Sequence, residues 1–434
     1  MSPRPDAGAE RRDWAIEKIV PGGDGMSRLS DGRVAFASGT LPGDVIRPVA
    51  VEAKKGHVRA KAWTLVSASA ERVTPPCPVV EACGGCDWMA MSRRAQVDQK
   101  AALLREALER TGGFSDAPVS ISPVGSELRY RSRVRFHVDG GGRIGFYARG
   151  SHELVEIPGC LVCRPEIERA LALLRKVPKH ALAAFSEIDV RVPEDSPAVA
   201  VHLMARFPGG AGPATSVIAA TLGSECSVSV EGEREPEPLV QRHPLPFGTY
   251  LLAGGGVFTQ VNWPVNVALV TAVVEGAKAR GVSRFLDAYA GAGNFTLPLL
   301  AAALTGVSVE RDGRAVELAE RAAREQGLEE GGFVAGDAAR VLPSLVQRRE
   351  RFDLVLLDPP RSGARHVLAD VLALSPRTIA CCSCDPVTLA RDLRTLAAGG
   401  YLLDEVCGFD MFPSTHHLET LAWMSRRAPH AAGS

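Results

Sequence analysis

The sequence predicts an α/β protein: a doubly wound parallel-sheet domain at the C-terminal end, behind two β-rich regions. Three observations carry that reading. From about residue 262 onward, apolar segments of helix and strand length alternate, the order of a parallel sheet flanked by helices. Residues 11–70 instead alternate short apolar runs with the turn signals "PGGDG", "SDGR" and "LPGD", which suits a small β-barrel. The length, 434 residues, is more than one ordinary domain needs.

In chain order, the barrel ends in a hairpin carrying Lys54, Lys55, His57, Arg59 and Lys61, either a solvated face or a surface for RNA. The cysteine-rich segment "ERVTPPCPVVEACGGCDW" leads into the polar helix "SRRAQVDQKAALLREALERTGG", which ends on glycines as helices often do. These open a central region, 71–255. Its "LRYRSRVRFHV" sets Arg129, Arg131, Arg133 and Arg135 on one face of a strand, with Tyr130, Val134 and Phe136 on the other. Four like charges in a row repel unless something anionic lies against them, which favours RNA phosphate over a merely solvated face. Proline, glycine and charge in "RFPGGAGPAT" and "EGEREPEPLVQRHPLPFG" mark loops near a domain boundary. The last domain, 256–430, reads as helix "VNVALVTAVVEGAKARG", strand "RFLDAYAG", helix "NFTLPLLAAAL", strand "GVSVE", helix "RAVELAERAAREQGL" and the buried strand of "FDLVLLDPPRSG".

Composition narrows the classes. Hydrophobic residues at 46% and charged residues at 23% fit a soluble globular protein with an ample core. Formal net charge is zero, so a nucleic-acid partner must be held by a local basic patch. The N-terminal "MSPRPDAGAERRDW" lacks an apolar signal core, and the longest apolar run, 297–309, is too short to span a bilayer. The expectation is a cytoplasmic protein without a membrane partner. In that compartment ten cysteines point to metal binding or catalysis before disulfides.

The strand "FLD" runs into "AYAGAGNFT", a glycine-rich turn opening a helix, where Gly291 and Gly293 let the backbone approach a ligand closely. Thr296 stands where a dinucleotide fingerprint would want a third glycine. Glu310 ends the next strand, placed to accept from ribose hydroxyls, and Asp337 in "GD" follows the third, placed for an adenine amino group. With "DPP" after a fourth strand, this order fits S-adenosylmethionine better than NAD.

"FTQVN" (258–262), "DAYAGAGNFTLP" (287–298), "LLDPPRSG" (356–363), "CCSCDPVTLARDL" (381–393) and "MFPSTHHLET" (411–420) together resemble the successive motifs of the uracil-C5 RNA methyltransferases, which form 5-methyluridine in ribosomal or transfer RNA. The resemblance covers nearly the whole chain. It implies a Rossmann-like methyltransferase domain, an N-terminal OB-like barrel of the TRAM type, RNA as partner, and no obligatory protein partner. Residue by residue, it implies Cys384 as nucleophile, Glu419 as general base, and Gln260, Tyr289, Asn294, Glu310, Asp337 and Asp358 as contacts of S-adenosylmethionine. Such chemistry needs a thiolate, because uracil C5 is a poor nucleophile until a sulfur adds at C6, and a base, because the C5 proton must then leave. Cys381 and Cys382 read as core thiols; His416 and His417 are candidates for the uracil pocket without an assigned role. One departure is Asp385, where the family often has asparagine: a carboxylate there is expected to raise the Cys384 pKa unless Arg391 or a helix start compensates.

"CPVVEACGGC" spaces Cys77, Cys83 and Cys86 as C-x5-C-x2-C, with a fourth thiol available at Cys160 or Cys163 in "CLVC". By spacing alone this suits an iron–sulfur cluster, with structural zinc as the alternative. The resemblance favours a 4Fe-4S cluster held by Cys77, Cys83, Cys86 and Cys160. Two further hypotheses are an RNA-binding or chaperone-like protein with a degenerate methyltransferase domain, and a radical enzyme combining cluster and S-adenosylmethionine. The C-x5-C-x2-C spacing with a distant fourth ligand argues against the latter.

Overall fold

The computed structural model describes residue 8 and residues 12–194, 196–207, 212–232, 240–328 and 331–427. The glycine- and proline-rich stretches at 208–211 and 233–239, and the outermost residues of the two terminal domains, lie outside the described residues.

Alternation of buried and exposed positions builds the first unit. Strands Trp14–Ala15, Val45–Lys54, His57–Ser67, Val34–Ala37, Gly25–Arg28 and Lys18–Ile19 pair in that order into a six-stranded sheet. Its inner face buries Trp14, Ala35, Ala37, Ile46 and Val58.

The central sheet is also six-stranded, in the order Leu154–Glu156, Ile144–Tyr147, Arg133–Val138, Phe185–Arg191, Val199–Ala205 and Cys226–Val230. Helices Pro165–Leu174 and Gly212–Leu222 lay Ile167, Leu171, Leu174, Ile218 and Leu222 against Phe136, Ile188 and Val201.

The C-terminal sheet has eight strands: Gly331–Ala335, Thr305–Glu310, Arg284–Asp287, Leu354–Leu357, Thr378–Ser383, Glu419–Arg426, Tyr401–Phe409 and Val119–Ser122. The first five run parallel. Glu419–Arg426 runs antiparallel to both its neighbours. All four residues of Leu354–Leu357 are buried, as a strand covered on both faces requires. This is the Rossmann-like methyltransferase architecture the sequence predicts.

The central region is smaller than 71–255. Helix Arg93–Ala107, capped by the Ser92 hydroxyl, buries Leu104 and Ala107 in the same core as Leu286, Val355 and Leu393, and strand Val119–Ser122 extends the C-terminal sheet. Hairpin strands Gln241–Pro244 and Tyr250–Ala253 place Leu251, Leu252 and Ala253 in the core around Trp263 and Phe285. The apolar stripes of these segments find their cover on the later sheet, which no local pattern signals.

Candidate active site

Ligands of doubly wound sheets gather at the carboxyl ends of the strands, and the cavity here lies at those ends. It measures about 780 Å³, and its lining includes Gln260, Tyr289, Asn294, Glu310, Asp337 and Asp358 together with Cys384 and Glu419. All eight residues singled out in the sequence for donor and chemistry therefore face one space.

Local bonding explains their placement. Gly291, at φ 54°, turns its N–H to the Glu310 carboxylate at 2.9 Å, and the other Glu310 oxygen accepts from Asp312 N at 2.7 Å. Each oxygen keeps a free lone pair for a ligand hydroxyl. Asp337 caps helix Ala338–Gln347 by accepting from Ala339 N at 2.9 Å. Asn294 exchanges two amide hydrogen bonds, 2.8 and 3.0 Å, with the buried Asn266, a partner nothing in the sequence marked. Thr296 is explained as well: its hydroxyl donates to Asp287 at 2.7 Å. Burial pushes that enclosed carboxyl up to about 7.

The reacting end is built by register. Strands Thr378–Ser383 and Glu419–Arg426 pair with Ser383 opposite Thr420, so Cys384 and Glu419 are the next step along the same ladder. Cys384 is half-buried; burial, then the charges of Glu419 and Asp358, push its thiol up to about 11, against the pull of the Arg361 guanidinium. Glu419 is 4% exposed, and its Oε1 has no hydrogen-bond partner among the described residues. Burial and the neighbouring Asp358 drive its pKa up. Cys384 also borders a second cavity of about 150 Å³, lined by Arg361, His416, His417 and, from the N-terminal sheet, Pro21 and Gly22.

Asp385 meets the compensating helix start: its side chain caps helix Pro386–Ala398, accepting from Thr388 N at 2.8 Å. Glu419 and Asp358 exert the repulsion instead, and Arg361 supplies the compensation expected of Arg391, which is bound to Asp392 and Ser362 O. Arg361 was visible as the residue after "DPP" but carried no signal of its own. Cys381 and Cys382 are core thiols, 4% and 1% exposed.

Four other thiols share a separate cavity. Cys77, Cys83, Cys86 and Cys160 line a space of about 240 Å³ together with Arg131, and Cys163 does not line it. Cys163, 1% exposed, donates to Cys160 and lowers the pKa of that thiol. Among the described residues, no three His, Cys, Asp or Glu side chains converge closely enough to hold a single metal ion.

The basic surfaces differ from expectation. Regular strand begins only at Arg133, which is buried against Asp189 at 2.8 Å, while Arg135 pairs with Glu187 at 3.2 Å. Arg131 turns to the cysteine cavity, leaving Arg129, at φ 58°, and Arg135 exposed. Strand Phe185–Arg191 brings the carboxylates alongside, so the four guanidinium groups form no row. On the hairpin, Lys54 and Lys61 pair with Glu52, and Arg59 with Asp24. No described helix is long and apolar enough to cross a membrane.

Comparison with known proteins points one way. A family model for tRNA (uracil-5-)-methyltransferase matches residues 340–427. The 23S rRNA (uracil(1939)-C(5))-methyltransferase RlmD of Aeromonas hydrophila is 34% identical over 431 residues, 96% of this chain and 97% of that one. An uncharacterized RNA methyltransferase of Gloeobacter violaceus is 33% identical over 449 residues, 95% of each chain. In fold, the crystal structure of Pyrococcus abyssi tRNA (uracil-54, C5)-methyltransferase in complex with S-adenosyl-L-homocysteine has a TM-score of 0.74 at 23% identity, covering 96% of this chain and 100% of that one.

Proposed function

The chain belongs to the uracil-C5 RNA methyltransferases, and from that premise we propose that it converts one uridine of RNA to 5-methyluridine through a transient bond from Cys384 to C6 of the ring. The observation that carries the proposal is the single cavity shared by Cys384, Glu419 and the glycine-rich turn.

Bound S-adenosylmethionine supplies an electrophilic methyl group on sulfonium. The chain's residues do the rest. Gln260, Tyr289, Asn294, Glu310, Asp337 and Asp358 hold and orient the donor. The flipped uracil enters beside Arg361 and the Pro21–Gly22 turn. The Cys384 thiolate adds at C6, and the C5=C6 electron pair is displaced towards C5 and the C4 oxygen. C5 then takes the methyl group as the S–CH3 bond of the sulfonium breaks, its electron pair staying on sulfur to leave a neutral thioether. The Glu419 carboxylate removes the C5 proton, and the electrons of that C–H bond re-form C5=C6 as the Cys384–C6 bond breaks.

The thiols of Cys77, Cys83, Cys86 and Cys160 suit a 4Fe-4S cluster better than zinc. They surround a volume rather than converging on one point, and zinc needs four thiolates about 2.3 Å from a single ion. This cavity shares no lining residue with the donor cavity, which supports a structural group and disfavours radical chemistry. The N-terminal sheet is the TRAM-like element, contributing its Pro21–Gly22 turn to the base pocket. A cytoplasmic site of action follows from an RNA substrate and reduced thiols.

Ribosomal RNA is the favoured substrate, since the relative aligned end to end at 34% identity carries a 23S rRNA name. The test presents purified protein and S-adenosylmethionine with unmodified 23S rRNA and tRNA transcripts, and maps 5-methyluridine. Methylation of rRNA alone is expected; methylation of tRNA alone overturns the substrate. Transcripts containing 5-fluorouridine are expected to trap a covalent complex at Cys384, and no complex with a methylated substrate sequence overturns the mechanism.

A further inference from the structure

Asp87 directly follows the last cysteine of "CGGC", yet its carboxylate faces the loop leading to Glu419. Asp87 Oδ2 lies 2.5 Å from His416 Nδ1, with both side chains largely covered. Three further hydrogen bonds fasten the same regions: Trp88 N to Ser414 O at 2.9 Å, Ser414 N to Gln96 Oε1 at 2.8 Å, and Tyr130 OH to Pro413 O at 3.2 Å. Gly23, at φ 85°, brings a turn of the N-terminal sheet so close that a side chain there would collide with both Asp87 and His416.

The contacts continue towards the nucleophile. The His416 and His417 rings lie 4.1 Å apart, and His417 Nε2 is 3.2 Å from Arg361 Nη2. Arginine only donates, so Nε2 must accept, and the His417 ring is neutral with its proton on Nδ1. Burial, helped by the neighbouring His416 ring and the Arg361 guanidinium, pushes the His417 pKa down to about 3 and keeps the ring in that form. Arg361 is the cation that counters Glu419 and Asp358 at the Cys384 sulfur.

On the reading of Cys384 as the nucleophile, we infer that Asp87, His416 and His417 are positioning residues that aim the Arg361 guanidinium at the Cys384 sulfur. The Arg361 residue is exposed, and an arginine head on a flexible stem stabilises a thiolate only while something holds it there. His417 provides that hold, and Asp87 fixes the ring behind it. The cysteine-rich segment thereby sets the reactivity of a thiol almost three hundred positions away in sequence.

Alkylation of Cys384 by iodoacetamide at neutral pH, quantified on its peptide by mass spectrometry, reads the thiolate without requiring methyl transfer. His417→Leu is expected to slow it about tenfold, equivalent to one unit of thiol pKa, and to lower kcat alike with KM for RNA changed less than about twofold. His417→Gln, whose amide oxygen still accepts from Arg361, is expected to restore most of both. Asp87→Ala is expected to follow His417→Leu; should that variant lose iron, the two His417 variants decide. Alkylation at the wild-type rate in His417→Leu overturns the inference, as does His417→Gln behaving like His417→Leu. Methyl transfer surviving in Cys384→Ser overturns the nucleophile instead, with the alkylation result left standing.

Discussion

Cys77, Cys83 and Cys86 share one cavity with the distant Cys160, whereas Cys381, Cys382 and Cys384 are near neighbours in sequence and share none. Cys381 and Cys382 point to opposite faces of a sheet buried on both sides, each into a different core. Cys384 lies just past the last paired residue, where the strand ends at the cavity. Sequence proximity therefore does not unite the second group, and distance in sequence does not keep Cys160 out of the first. A thiol takes its role from the surface its backbone presents it to.

Four measurements test that contrast. Replacing Cys384 by alanine is expected to reduce methyl transfer on the order of 10⁴-fold or more, while Cys381→Ala and Cys382→Ala keep kcat near wild type, all read in single-turnover assays. An equal loss in all three variants would erase the distinction along the strand. Glu419→Gln is expected to slow turnover about 10²- to 10⁴-fold and to accumulate a methylated protein–RNA adduct on denaturing gels, because the C5 proton then has no acceptor.

The first group is tested by content. Anaerobically purified protein is expected to hold about four irons per chain, to lose them in Cys160→Ser and to keep them in Cys163→Ser. One zinc per chain would replace the cluster assignment. A further effect concerns pH. On the proposed mechanism Cys384 and Glu419 both react deprotonated, and burial raises the pKa of both, so their reactive fractions grow as pH rises. Between pH 6 and 9, kcat/KM is expected to climb about tenfold per unit where one group limits. A flat profile would show the thiolate already formed.

Much of the site was legible because doubly wound sheets put function at strand ends, where a polar residue after an apolar run stands out. Glu310, Asp337 and Asp358 are found this way, and Cys384 and Glu419 through motif resemblance. What escaped depends on pairing between distant segments. Arg133 looked free for phosphate until Asp189, on the neighbouring strand, was seen to neutralise it. Lys61 and Glu52 meet only across a hairpin register that the charge pattern alone does not fix. Asp87 and His416 are 329 positions apart, and neither has a local reason to prefer the other. The strand Val119–Ser122 likewise joins a sheet whose other strands begin at residue 284.

The reversed direction of Glu419–Arg426 decides which of its residues reaches the cavity. A parallel strand can offer the catalytic rim only its final residues, but a strand running the other way offers its first. Cys384 and Glu419, the proposed nucleophile and base, thus face each other at the end of one ladder, and the loop between Phe409 and Glu419 can lengthen or shorten without changing their separation. A single-residue deletion inside either strand has no such freedom: it would carry one partner to the opposite side of the sheet.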